Sequence, residues 1–407
     1  MHILYFHQHF TTPRGSGGIR SYEMARRLIS RGHRVTMVCG SSARGQTGLA
    51  GPFRRGRRSG TCEGIEVIEL QLPYSNYDSF SRRTICFIRF AIQSIFLALS
   101  FDYDLLFATS TPLTAGIPGI FARWLRRKPF VFEVRDLWPE LPRAMGVITN
   151  PVLLRLMDWL EWLSYHSATA CIGLSPGIVQ GIARRGIDPT AITMIPNGCD
   201  LDIFAPSAER AAIDGIAETD LVAVFTGAHG RANGLDAVLD AAAELRARHR
   251  EDIRLLFIGD GALKPALVAR AREEHLSNCL FLDPLPKVEL SRLMSRADVG
   301  LMILANVPAF YYGTSPNKFF DYIASGLPVL NNYPGWLADL IAVHRCGLAV
   351  APENPAAFAD ALMNLADHPD ARSAMGANAR ALARQEFDRA LLADRFVDWL
   401  AAARARR

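Results

Sequence analysis

Gly313-Thr314-Ser315-Pro316-Asn317-Lys318-Phe319-Phe320-Asp321-Tyr322-Ile323-Ala324-Ser325-Gly326-Leu327-Pro328 is the stretch from which the rest of the chain is best read. Ser-Pro-Asn starts a helix, Phe319, Tyr322 and Ile323 recur at helical spacing, and Gly326 followed by Pro328 ends it. A short helix therefore points its N-terminus out of a Gly/Ser loop. Such an end presents free backbone N–H groups and a partial positive charge, which suit a phosphate, and Lys318 adds a full charge. Asp321, one turn further in, is placed to accept a hydrogen bond from a sugar hydroxyl of the same ligand. An ordinary capped helix between two strands has the same local signature, so the functional reading depends on what surrounds it.

Working outward, 407 residues of which half are apolar can bury two ordinary cores, so two domains are expected. The net charge of +5 is unevenly placed. Residues 1–205 carry 23 Lys/Arg against 15 Asp/Glu, or +8, and the remainder carries 22 against 25, or −3. Arg54-Arg55-Gly56-Arg57-Arg58, Arg82-Arg83 and Arg126-Arg127-Lys128 favour an anionic partner, although solvated loops look the same. No aromatic interleaving or nucleic-acid motif accompanies them, which argues against DNA or RNA. The seven cysteines are scattered without a C-x-x-C pair, as expected for reduced, buried thiols of a cytoplasmic protein. The first residues read as a strand rather than a signal peptide.

His2 to Phe6 reads as that strand, followed by a loop to Gly15-Ser16-Gly17-Gly18, a helix from Ser21 to Arg31 and a strand from Arg34 to Cys39. This is a strand–glycine–helix–strand unit with a parallel sheet in prospect. It is a poor dinucleotide fingerprint, because Arg20 stands where G-x-G-x-x-G needs its last glycine and an insert from His7 to Arg14 separates strand from glycines. Residues 41–62, rich in Gly, Ser and Arg, read as a mobile loop. Strands follow at Glu66–Gln71, Leu105–Ala108, Phe130–Val134, Ala170–Leu174 and Ile192–Ile195, completing a doubly wound domain. The apolar helix from Thr84 to Phe101 is too interrupted for a confident membrane span but suits either packing on the sheet or an anionic membrane surface. Asp102-Tyr103-Asp104 has the D-x-D form of a metal site, yet it precedes its strand, at the end opposite to where such sheets bind ligands, so no metal is expected there.

Beyond the carboxyl end of the strand Phe130–Val134 stand Arg135, Asp136 and Glu140, where chemistry is usually placed; an internal ion pair of Arg135 with Asp136 or Glu140 is the structural alternative. After Ile195-Pro196-Asn197-Gly198 a polar, Ala/Glu-rich stretch to Asp220 reads as a linker. The pattern then restarts: strand Leu221–Thr226, a loop containing Gly227, His229 and Arg231, helix Leu235–Arg248, and strand Ile253–Ile258 ending at Gly259-Asp260-Gly261. A final helix runs from Arg389 to Ala403.

Taken in order, Ile195-Pro196-Asn197-Gly198, Phe257-Ile258-Gly259-Asp260-Gly261, Ser315-Pro316-Asn317-Lys318 and Asp321-Tyr322-Ile323-Ala324-Ser325-Gly326-Leu327-Pro328 resemble glycosyltransferase family 4. Gly17-Gly18 and the block from Glu133 to Glu140 resemble its branch of fucosamine-type transferases of surface-polysaccharide synthesis, such as O-antigen or capsule. The resemblance implies an α/β fold of the GT-B type, with two Rossmann-like domains facing across a cleft. The acceptor-binding domain is expected at 1–205, the nucleotide-sugar-binding domain at 206–388, and a helix at 389–407 returning to the first domain. It implies a UDP-sugar donor, a lipid-linked or oligosaccharide acceptor, and retention of configuration with neither cofactor nor metal. Gly17, Gly18, Gly227, His229, Arg231, Gly259, Ser315, Pro316, Asn317, Lys318 and Asp321 are the expected donor site, with Arg135, Asp136 and Glu140 at the reacting centre. Asp321 occupies the position of the family's second glutamate, a ribose ligand.

The sequence departs from the family at four places: its first glutamate falls at Gly313, the glycine-loop Arg and Lys fall at Ala228 and Asn233, and its histidine falls near Arg135. A GT-B nucleotide-sugar epimerase and a non-catalytic nucleotide-sugar-binding protein are the alternative functions.

Overall fold

The computed structural model describes residues 1–15, 17–42, 46–75, 78–205 and 210–406. Ser16 of the first glycine loop, residues 206–209 of the expected linker, and Arg407 lie outside them. The chain forms two compact units. The first comprises Met1–Asn197, Gly313–Ser315 and Ala390–Arg407, and the second Gly198–Tyr312 and Pro316–Arg389.

In the first unit the strands are β1 (His2–Phe6), β2 (Arg34–Ser42), β3 (Arg57–Cys62), β4 (Ile65–Tyr74), β5 (Leu105–Thr109), β6 (Phe130–Val134), β7 (Ala170–Gly173) and β8 (Ile192–Met194). They make one sheet in the order β3-β4-β2-β1-β5-β6-β7-β8, parallel except for β3 against β4. The helices are α1 (Arg20–Ser30), α2 (Phe80–Ser100), α3 (Ile117–Arg126), α4 (Glu140–Ala144), α5 (Pro151–Ser167) and α6 (Pro176–Arg184). The stretch 41–62 is therefore not one long loop: β2 runs into it as far as Ser42, residues 43–45 lie outside the described residues, and β3 pairs with β4 from Arg57↔Leu70 to Cys62↔Ile65. The sequence hid β3 because an exposed edge strand needs no apolar face, and RRSGTC has none.

The first core has two layers, one on each face of the buried central strands β1, β5, β6 and β7. On one side, Phe90 and Leu97 of α2, Ala122 of α3, Tyr165 of α5 and Ile178 of α6 pack on Leu4, Phe6, Leu106 and Phe132. On the other, Phe107 meets Tyr5 and Phe396 edge-on, at ring centroid separations of 4.5 and 5.0 Å.

The second unit has strands β9 (Leu221–Thr226), β10 (Ile253–Ile258), β11 (Cys279–Leu282), β12 (Val299–Met302), β13 (Val329–Asn331) and β14 (Gly347–Ala349), all parallel in the order β11-β10-β9-β12-β13-β14. Its helices are α7 (Asp236–Ala247), α8 (Lys264–Glu273), α9 (Lys287–Met294), α10 (Pro308–Gly313), α11 (Asn317–Ala324), α12 (Trp336–His344), α13 (Pro355–Asp367) and α14 (Pro369–Glu386). The stretch that opens the reading is α11. Gly300 on β12 lets it pack closely, since a Cβ there would lie 2.4 Å from the Tyr322 ring. The Tyr322 hydroxyl accepts from the Thr226 amide at 2.9 Å and so fixes α11 against the end of β9.

The last helix, α15 (Arg389–Ala405), belongs from Ala390 onward to the first unit, as the sequence suggested. Asp394 bridges Arg27 (2.7 Å) and Arg31 (2.7 Å) of α1, and Arg404 reaches Asp104 at 2.9 Å. Asp104 also accepts from the His2 amide at 2.8 Å, so the D-x-D stretch ties helix and sheet together at the N-terminal ends of the strands.

Candidate active site

In the second unit two glycine loops meet at the carboxyl ends of β9 and β10. Gly227 has φ +130°, and Gly259 has φ +152° with no room for a side chain, because a Cβ would lie 1.9 Å from the Gly227 carbonyl oxygen. The loops are joined by hydrogen bonds from Gly227 N to Ile258 O (2.9 Å) and from His229 N to Asp260 O (3.0 Å). Only glycine permits this approach, which is why both positions stand out in the sequence. Asn317 opens α11 directly after Pro316, and no side chain caps the helix start; the Phe319 N–H donates to Pro316 O at 3.2 Å, which leaves those of Asn317 and Lys318 for a ligand.

Lys318 points into this meeting place. Its Nζ donates to Asn233 Oδ1 at 2.6 Å and lies 4.1 Å from the Phe225 ring centroid. Among the described residues no carboxylate lies within ion-pair distance of it. Burial of the ammonium pulls its pKa down to about 7. A cation desolvated without a counter-charge is costly, and an arriving anion would relieve that cost. Asn233, one of the departures from the family pattern, is thus the partner of Lys318, and its Nδ2 also braces the loop by donating to Ala228 O at 2.7 Å.

His229 differs from expectation. Its ring is wholly buried, between Phe225, Phe257 and Phe281, with both nitrogens unpartnered. Burial, then the Lys264 charge, lower its pKa to about 4. It is therefore a neutral ring at neutral pH and adds no positive charge to the loop. Arg231 stands exposed on the single turn Arg231–Asn233.

Asp321 is buried, and its Oδ1 lies 3.2 Å from Lys287 Nζ. Lys287 also pairs with Asp200, which in turn pairs with Arg389; Arg389 donates to Gly198 O at 2.6 Å. Burial opposes ionisation of Asp200, but the Arg389 and Lys287 charges outweigh it and hold its carboxyl at about 2. At Asp321 burial prevails over Lys287, and the pKa is raised. Sequence spacing gave no sign of this network, whose members lie at 200, 287, 321 and 389. The Ser315 hydroxyl accepts from the Asn197 amide at 3.1 Å, a structural engagement at the start of the loop.

In the first unit a second polar cluster stands beyond β1, β5 and β6. Arg135 N donates to Ser110 Oγ (2.8 Å), Thr111 Oγ1 donates to Asp136 Oδ2 (3.0 Å), and Arg135 Nη1 approaches His7 Nε2 at 3.4 Å. Thr111 holds Asp136 from a backbone with φ +77°, a strained state for a β-branched residue and one typical of functional sites. Burial raises the pKa of Asp136 against the pull of Thr111 and Arg135. Burial, then Arg135, depress His7 well below its usual value and bring His9 to about 4. His9 packs on Tyr74 and Phe87. The insert after β1 thus supplies two neutral histidines that the sequence reading left without a role.

Arg135 forms no ion pair with Asp136 or Glu140 among the described residues. Glu140 is exposed and engages Arg184 at 3.4 Å, so the structure does not gather it with the other two.

Gly17 and Gly18 are exposed in the turn before α1, in the first unit. Behind them Arg20 is fully buried. Its Nε and Nη2 donate to Glu133 Oε2 at 3.0 and 2.8 Å, and it also donates to the carbonyls of Ile195 and Pro196. That is why no glycine stands at position 20: the side chain ties α1 to β6 and to the turn after β8.

Two parallel-sheet Rossmann-like units with a last helix returning to the first make this a GT-B fold, and solved structures agree. Sucrose-phosphate synthase from Thermosynechococcus elongatus superposes with TM-score 0.77 at 18% identity, covering 99% of both chains. Anabaena Alr3699/HepE in complex with UDP-glucose superposes with TM-score 0.68 at 15% identity, covering 99% of this chain and 100% of that one. More particularly, residues 16–198 match the glycosyl transferase 4-like domain and residues 220–368 match glycosyl transferases group 1, so the chain carries two glycosyltransferase domains. D-inositol 3-phosphate glycosyltransferase 2 of Catenulispora acidiphila is 30% identical over 205 residues, 48% of this chain and 47% of that protein. The chain thus spans about half the length of the curated relatives it matches.

Proposed function

We propose that the chain is a retaining, metal-independent glycosyltransferase that moves a sugar from a UDP-sugar to a lipid-linked or saccharide acceptor in surface-polysaccharide synthesis, in the cytoplasm. The single observation that carries the reading is Lys318, a part-buried lysine with no counter-charge among the described residues, where two glycine loops and an uncapped helix N-terminus converge. Backbone N–H groups and an ammonium stabilise a leaving diphosphate as a divalent cation otherwise would. Anabaena Alr3699/HepE, of the same fold, has been solved with UDP-glucose, which supports this class of donor. The fucosamine-type resemblance favours an N-acetylated deoxy-amino sugar as the transferred group.

The acceptor belongs to the first unit. Arg135 is placed to stabilise developing negative charge, and Asp136, held by Thr111, to orient an acceptor or sugar hydroxyl. In a front-face transfer the leaving phosphate oxygen takes the acceptor proton, so no side chain need act as nucleophile. Incubation with a panel of UDP-sugars, with and without membrane extract, tests the reading through release of UDP. A transferase releases UDP only with extract. Release or sugar conversion without extract indicates an epimerase or hydrolase, and binding without release indicates a non-catalytic protein.

A further inference from the structure

Twelve of the seventeen large apolar side chains exposed among the described residues lie on three helices, α2, α3 and α5. α3 packs between the other two, and all three cover the same side of the first sheet. The face includes Ile88, Ile92 and Phe96 of α2, Trp124 of α3, and Trp159 and Trp162 of α5; Phe96 is 68% exposed, Trp124 67% and Trp159 60%. Its three tryptophans lie outside the stretch 84–101 that the sequence singles out. Monomeric proteins seldom leave so much apolar surface in one place without a use for it.

The charges say what covers it. α2 carries three arginines and α3 two, with no acidic residue on either helix; α5 adds Arg155, and its Asp158 and Glu161 are already paired, with Arg143 and Arg185. A two-fold dimer through this face would set those arginines against their own copies. An anionic lipid surface pairs with them instead, while tryptophans take the headgroup level and aliphatic side chains the acyl boundary. We infer that the α2–α3–α5 face docks the protein on an anionic phospholipid bilayer. The helix also leads to the polar cluster of the first unit, because the Phe87 ring of α2 lies 6.3 Å from His9. A lipid-linked acceptor held at that surface would enter beside His9 and Arg135. This last step rests on the transferase reading, whereas the docking itself is measured without turnover, so the two can fail separately.

Vesicles of phosphatidylglycerol and phosphatidylcholine are compared with phosphatidylcholine alone by cosedimentation. The protein is expected to bind the anionic vesicles at low salt and to be released by added salt. Ile88→Ser with Ile92→Ser, both on the exposed side of α2, should weaken binding by about tenfold or more, from the apolar area withdrawn. Brominated lipid should quench the protein's tryptophan fluorescence, and Trp124→Phe with Trp159→Phe and Trp162→Phe should remove most of that quenching. These conservative changes decide the matter if the serine variant does not fold. Absence of binding to anionic vesicles, binding that neither variant set alters, or a dimer in sedimentation equilibrium that the serine substitutions dissociate would each overturn the inference.

Discussion

Lys318→Met separates a ligand-binding lysine from a structural one, because the two make opposite predictions. With its pKa at about 7 when no ligand is bound, Lys318 is about one-tenth protonated at pH 8. A diphosphate beside it restores the charge, so binding at pH 8 should take up about 0.9 proton, and the dissociation constant should rise about tenfold per pH unit between pH 7.5 and 8.5. Titration calorimetry in buffers of different ionisation enthalpy measures the uptake. In Lys318→Met the slope that remains is the ligand's own. For the free protein the sign reverses. A lysine whose pKa is lowered by folding opposes folding below about pH 7, and the effect fades as pH rises toward the unfolded value of 10.5. The gap of about 3.5 pH units sets an upper bound of about 4–5 kcal/mol. Lost contacts to Asn233 and Phe225 reduce it, so Lys318→Met should gain about 1–3 kcal/mol of stability near pH 6 while losing UDP affinity. A variant that is less stable at pH 6 and binds UDP as before would refute the reasoning.

Asp136→Asn should lower turnover by about 10²-fold or more with little change in UDP affinity by calorimetry; full turnover would leave Asp136 as no more than the partner of Thr111. Asp321→Ala should cost about 3–5 kcal/mol in denaturant unfolding, because it leaves Lys287 short of a buried partner; a ribose contact adds a loss of UDP affinity, and unchanged affinity would confine Asp321 to the network. Asp200, held at about 2, contributes stability above about pH 4 that is lost as pH falls through 2, and Asp200→Asn should flatten that acid limb in urea titrations. Chelator should leave turnover largely intact, and restoration of a chelated enzyme by manganese would contradict the role given to Lys318 and the helix N-terminus.

How much of this was legible beforehand depends on the range of the forces involved. Phe130–Val134, Leu221–Thr226 and Ile253–Ile258 were read at their observed boundaries because a buried parallel strand is a continuous apolar run. Gly259 and Lys318 were legible because close backbone approach and a helix start are local properties. The partners of Arg20 were not, since Glu133 lies 113 residues away and the sequence showed only that a glycine was missing. Nor were the neutral state of His229 or the pairing of Asp321 with Lys287, both of which depend on burial made by distant elements. β3 escaped because its edge position asks nothing of its side chains.

The central claim is that one sugar leaves its nucleotide at Lys318 and arrives on an acceptor. It is tested most directly by supplying a UDP-sugar labelled in the sugar, with membrane extract, and counting label in the acceptor fraction against UDP released. One labelled sugar should appear on acceptor for each UDP released, with both falling together in Lys318→Ala. Label recovered only as free sugar, or transfer undiminished in Lys318→Ala, would contradict it.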